Sequence, residues 1–104
     1  PNADSKVFVK MSNDMSKFND YTPQNSAELY PAMGDSDDYF YWDQKMLSFT
    51  FELCSTFIPS ASQIDNFTSI NVPAYIYLID NKNANPLRNR KNQHCCNLLK
   101  MLLY

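Results

Sequence analysis

The chain has 104 residues, 44% of them hydrophobic and 19% charged, with a formal net charge of −2. That is long enough for one small domain with its own core and too apolar for an acidic disordered tail. No apolar run is long enough to span a bilayer, no basic patch interleaves with aromatics, and the single glycine, Gly34, rules out a glycine-rich phosphate loop; membrane and nucleic acid are therefore not expected partners.

Residues 5 to 19 carry Val7, Phe8, Met11, Met15 and Phe18 at a spacing that predicts an amphipathic helix with one apolar stripe. Asn19-Asp20-Tyr21-Thr22-Pro23 ends it, because Asn-Asp favours a turn and Pro23 biases Thr22 away from helix. Residues 26 to 30 read as a short strand or an extended leader. Asp35-Ser36-Asp37-Asp38 supplies helix-start residues, acids at the positive end of a dipole, for a short helix around 36 to 45. A strand over about 47 to 53 follows, then a long helix from about 60 to 79. In that helix Ile64, Phe67, Ile70, Val72, Ala74, Tyr75 and Leu78 are expected to face a core, with a kink or break at Pro73. Asn66-Phe67-Thr68 matches a glycosylation sequon, for which a helix is a poor place.

Charge divides the chain unevenly. Eleven acids and four lysines precede residue 81, whereas residues 81–104 carry five bases and no acid, which marks a candidate boundary. Residues 81 to 93, rich in Asn and basic residues, read as a linker, and the rest of the tail as an irregular terminus. Three cysteines, Cys54, Cys95 and Cys96, give no disulfide framework. His94-Cys95-Cys96 lacks the spacing by which ligands converge on one tetrahedral ion, and it reads as incidental.

The most informative stretch is Ser48-Phe49-Thr50-Phe51-Glu52-Leu53. Strand alternation puts Phe49, Phe51 and Leu53 on one face and Ser48, Thr50 and Glu52 on the other. An ionised Glu inside a sheet needs a cleft, a partner or water. It is either a surface ladder residue, one paired to an arginine, or a functional carboxylate.

Upstream of it lies Tyr30-Pro31-Ala32-Met33-Gly34-Asp35-Ser36-Asp37-Asp38-Tyr39-Phe40-Tyr41. This order, with the Ser-x-Thr-x-Glu-Leu strand behind it, resembles the C-terminal part of the catalytic domain of zinc metallocarboxypeptidases of the carboxypeptidase A/B type. The match needs no gap from Tyr30 to Leu53 and covers about residues 20 to 80. Tyr39 stands where the family usually has Trp, and the loop from Leu53 to Phe57 is shorter than in pancreatic-type enzymes. The fold class implied is α/β: the C-terminal fragment of an α/β/α domain with a mixed sheet, of which this chain would hold mostly helices and one or two strands. Residues 1–80 would form that part of the domain, with 81–104 a tail of unknown structure.

The resemblance also implies chemistry. Glu52 takes the position of the general acid/base that accepts a proton from a zinc-bound water. Tyr30 matches the mobile tyrosine that hydrogen-bonds substrate, and Ala32, Asp35, Asp37 and Thr50 match the lining of the pocket for the C-terminal side chain. Asp37 occupies the position that is Asp where Lys or Arg is removed, implying basic or mixed specificity; the plainer alternative is that Asp35, Asp37 and Asp38 form a solvated helix start. Asp38 matches a structural Asp that caps or braces the turn. Zn2+ is the implied cofactor, with its ligands, a His-x-x-Glu pair and a later His, expected upstream of this chain together with the arginines that clamp the substrate carboxylate. No metal ligand is assigned here.

Peptide or protein C-termini are the implied substrate, and a secreted or extracytoplasmic setting the implied location, although the first residues carry no signal peptide; oligomeric state has no signal in the sequence. Pro1 is not an initiator methionine, and the chain is expected to start inside a longer gene product. Alone it is expected to be inactive and, with raw edges and an unpaired strand at 47 to 53, aggregation-prone. Two alternatives are a non-catalytic remnant or peptide-binding module of the same fold, and a carboxypeptidase acting on cell-wall peptides.

Overall fold

The computed structural model of the protein describes residues 3–29, 34–84 and 101–103. Its element order is α1 (Ala3–Asn19), β1 (Pro23–Asn25), α2 (Ser26–Leu29), α3 (Ser36–Trp42), β2 (Phe49–Phe51), α4 (Ile64–Asp80) and β3 (Met101–Leu103).

Helix α1 forms the spine. Its buried stripe runs through Asp4, Phe8, Met11, Ser12, Met15 and Asn19, an i, i+4, i+7, i+8, i+11, i+15 pattern that keeps to one helical face. The expected stripe is thus displaced at its end: Phe18 is 47% exposed, and its place is taken by Asn19. Buried Ser12 returns its hydroxyl to the carbonyls of Phe8 and Val9, so it needs no partner outside the helix. Asp20 takes a left-handed φ of 58° while its N–H closes on the Ser16 carbonyl, and this stops the helix at the Asn-Asp turn.

Helix α4 packs against α1. Met15 and Ala74 are fully buried at the contact, the Phe18 and Tyr77 rings lie 6.1 Å apart, and the Tyr77 hydroxyl donates to Asp14 Oδ2 at 2.8 Å. A 3-10 turn at Ala61–Gln63 leads into α4, with Ser60 and Gln63 forming a reciprocal capping box. Pro73 neither splits nor ends the helix. It leaves the Ser69 carbonyl without its intrahelical donor, and docking of Asn71 and Ala74 against α1 on both sides of it holds the helix together. The buried face is therefore Asn71 and Ala74 flanked by Phe67, Ile70, Tyr77 and Leu78. Ile64, Val72 and Tyr75, expected in the core, are exposed together with Ile76 and Ile79. The sequon at Asn66 falls in the first turns of α4.

Three strands form one sheet in the order β1-β3-β2, where the sequence predicts one or two. β3 runs antiparallel to β1, pairing Pro23 with Leu103, and parallel to β2, pairing Phe51 with Leu103. Pro23 sits in a flanking strand, where its missing N–H leaves no central ladder bond unmade. Residues 101–103, for which the sequence predicts an irregular terminus, are the middle strand, and β2, expected to be unpaired, has β3 along one side. Residues 26–29, read as a strand or leader, make a helical turn, and the strand falls just before them at Pro23–Asn25. Helix α3 ends at Trp42 rather than 45 because Lys45 adopts a left-handed φ of 55°, folding its ammonium back to the Trp42 carbonyl. His94, Cys95 and Cys96 lie outside the described residues.

Candidate active site

Strand β2 divides its side chains as alternation requires. Phe49 meets Phe8 of α1 with ring centroids 5.2 Å apart, and Phe51 meets Tyr75 of α4 at 4.5 Å. On the opposite face the Ser48 hydroxyl donates to Asp37 Oδ1 and the Thr50 hydroxyl to Asp37 Oδ2 at 2.6 Å. One carboxylate on α3 is thereby fastened to the residues on either side of Phe49.

The acidic helix start separates into three roles. Asp35 is the N-cap of α3, its Oδ1 accepting the Asp38 N–H at 3.1 Å. Asp38 braces the turn from the other direction, its Oδ2 accepting the Gly34 N–H at 2.6 Å. Gly34 adopts φ +79°, a conformation that L side chains disfavour, so this turn requires its one glycine. Asp37 is only 8% exposed, which removes it from the solvated cluster that the sequence alone allowed. The structure therefore brings Asp37 and Thr50 together and assigns Asp35 a capping bond. Tyr30 and Ala32 lie outside the described residues.

Glu52 stands just past the end of β2 and is half-buried. It lines a cleft of about 270 Å³ with Tyr21, Leu53, Cys54, Ser55 and Phe67. Among the described residues none hydrogen-bonds or ion-pairs with its carboxylate. A second, mostly apolar groove of about 260 Å³ continues along α4 from Leu53 and Cys54 past Phe67 to Tyr75. The Cys54 thiol is free and donates to the Thr56 carbonyl at 2.9 Å.

A polar network that the sequence does not announce joins Tyr21, on the wall of the Glu52 cleft, to α1 and α4. Asn19 Nδ2 donates to Asn71 Oδ1 at 2.9 Å, and Asn71 Nδ2 donates to the Tyr21 hydroxyl at 3.0 Å and to the Phe67 carbonyl at 2.8 Å. Tyr21 donates its own phenolic proton to the Leu53 carbonyl at 2.9 Å. The one available signal was Asn71, an amide among apolar residues on the inner face of a helix.

The sequence model of the zinc carboxypeptidase family matches residues 3–74, well over half of the chain. The chain belongs to that family. No curated protein and no solved structure matches it. The match runs from α1 through Ala74 of α4, so it takes in the Asp37–Ser48–Thr50 cluster, Glu52 and the amide network alike. Family membership implies zinc and peptide substrates. Among the described residues, however, no group of three or more His, Cys, Asp or Glu side chains could hold a metal ion. The described residues of this zinc carboxypeptidase chain thus do not fit a zinc centre, and no chemical step is assigned to one in them. Among them, too, no helix is long and apolar enough to cross a membrane.

Proposed function

We propose that this chain is the C-terminal part of an α/β/α zinc carboxypeptidase domain that removes C-terminal residues from peptides or proteins, with zinc ligands and carboxylate clamp supplied by upstream sequence. The observation that carries the reading is the half-buried Glu52, which opens into a cleft just past the end of β2, two residues after a Thr50 that is bonded to a buried Asp37. A half-buried carboxylate free of protein partners among the described residues is suited to accept a proton from an attacking water and pass it to the leaving amine. Asp37, reinforced by two hydroxyls, is suited to a cationic side chain, which favours release of Lys or Arg or a mixed preference. Tyr30, Ala32, Asp35 and Thr50 complete the proposed substrate pocket, and a secreted or extracytoplasmic setting belongs to the same proposal.

The test is to produce the protein with its upstream gene sequence and follow release of C-terminal Lys and Leu from matched peptides, with and without a chelator. Chelator-sensitive release is expected. Glu52→Gln should lower kcat by about a hundredfold or more, the usual scale for a general base. Release that survives the chelator, or full activity in Glu52→Gln, would overturn the reading.

A further inference from the structure

Strand pairing does not extend to the residue that carries the candidate base. The last β2 pair is Phe51 with Leu103, and Glu52 and Leu53 lie beyond it. What holds the chain immediately after Glu52 is the hydrogen bond from the Tyr21 hydroxyl to the Leu53 carbonyl. That hydroxyl is itself fixed, because it accepts from Asn71, whose other amide hydrogen is committed to the Phe67 carbonyl and whose oxygen accepts from Asn19. Asn19 Oδ1 in turn accepts the backbone N–H of Tyr21 at 3.2 Å, which closes a ring of bonds between the end of α1 and the middle of α4. Asn19 is 6% exposed and Asn71 2%, so these amides have little water to turn to if the ring opens.

We infer that Tyr21, oriented by Asn71 and Asn19, is a positioning residue that sets the placement of Glu52 in its cleft by tethering the Leu53 carbonyl. Tyr21 also lines the cleft beside Glu52, so tether and carboxylate face the same space. The functional half of this inference rests on the carboxypeptidase reading; the tether itself does not.

The experiment uses the protein with its upstream sequence, comparing wild type, Tyr21→Phe and Tyr77→Phe. Tyr21→Phe keeps the aromatic side chain and removes only the hydroxyl. Tyr77→Phe deletes a hydroxyl that also links the same two helices, through Asp14, outside the residues that line the cleft. Two readouts are taken: kcat and KM for peptide cleavage, and amide hydrogen exchange resolved to residues 52–55.

In Tyr21→Phe, exchange over 52–55 should quicken about tenfold, and clearly more than in α1 and α4, which lose only the acceptor of one Asn71 amide hydrogen. kcat should fall about tenfold at a KM within twofold of wild type, and Tyr77→Phe should change neither readout. Unchanged exchange and kcat in Tyr21→Phe would overturn the inference. So would exchange that quickens equally throughout α1 and α4, since that is a loss of general stability. If the wild type releases no C-terminal residue, the carboxypeptidase reading fails, and the exchange comparison alone decides whether the tether exists.

Discussion

Breaking the link between Thr50 and Asp37 tests whether the polar face of β2 is built as described. Asp37 is 8% exposed and accepts from two hydroxyls, one of them at 2.6 Å. A hydrogen bond to a charged group contributes about 1.5–3 kcal/mol. Thr50→Val removes one donor and leaves the carboxylate with the Ser48 hydroxyl, so a loss near the lower end, about 1.5 kcal/mol, is expected. Asp37→Ala removes the acceptor of both bonds and also the cost of burying a carboxylate; these oppose, and a net loss of about 2 kcal/mol is expected. The double variant decides the matter. If the bond exists in solution, Thr50→Val costs little once Asp37 is gone, and the coupling energy should be about 1 kcal/mol or more. Urea midpoints at constant slope measure it. Coupling within about 0.3 kcal/mol of zero would show that the two side chains do not interact, and the argument for a built pocket would fall with it.

Other consequences can be checked separately. Gly34→Ala meets no atom within 4 Å, so its cost should come from the left-handed backbone alone, about 1 kcal/mol by urea titration, and a much larger loss would point to an unrecognised clash. The carboxyl of Asp14 is held far below the usual aspartate range by hydrogen bonds from Lys10, then Lys17, then Tyr77. Because its folded value is depressed, its contribution is complete above the unfolded value near 4 and disappears as pH falls below that. Helix content followed by circular dichroism should therefore be less acid-sensitive in Asp14→Asn, and an identical acid profile would contradict this. Phe57 and Ile58 are almost fully exposed, as are much of Ile64, Ile76 and Ile79. The isolated chain should scatter light increasingly with concentration, and Phe57→Ser with Ile58→Asp should reduce the effect if these side chains cause it.

The parts of this molecule legible in its sequence are those fixed by local periodicity. The length of α1, its stop at Asn19-Asp20, the split of β2 into a phenylalanine face and a polar face, and the Asp38 brace all follow from neighbours within a few residues. What the sequence hid depends on distant partners. Ile64, Val72 and Tyr75 satisfy a helical stripe as well as Asn71 does, and only the close approach of α1 at Ala74 decides which face of α4 turns inward. The amide ring has no local signature, because Asn19 is equally well suited to the turn that ends α1. Asp37 was ambiguous between exposure and burial, because the Ser48 and Thr50 that reach it come eleven and thirteen positions later.

The position of β3 bears on how the chain is made. β1 and β2 never touch each other in the sheet; each waits for residues 101–103 to arrive between them. On a ribosome adding about 5–20 residues per second, β2 is complete for several seconds before the segment it pairs with is synthesised, roughly fifty residues later. α1 and α4, both already translated by then, have time to dock first. The nascent protein therefore passes through a helical pair carrying two open strand edges, a stage at which a chaperone or a neighbouring copy can bind before the sheet closes.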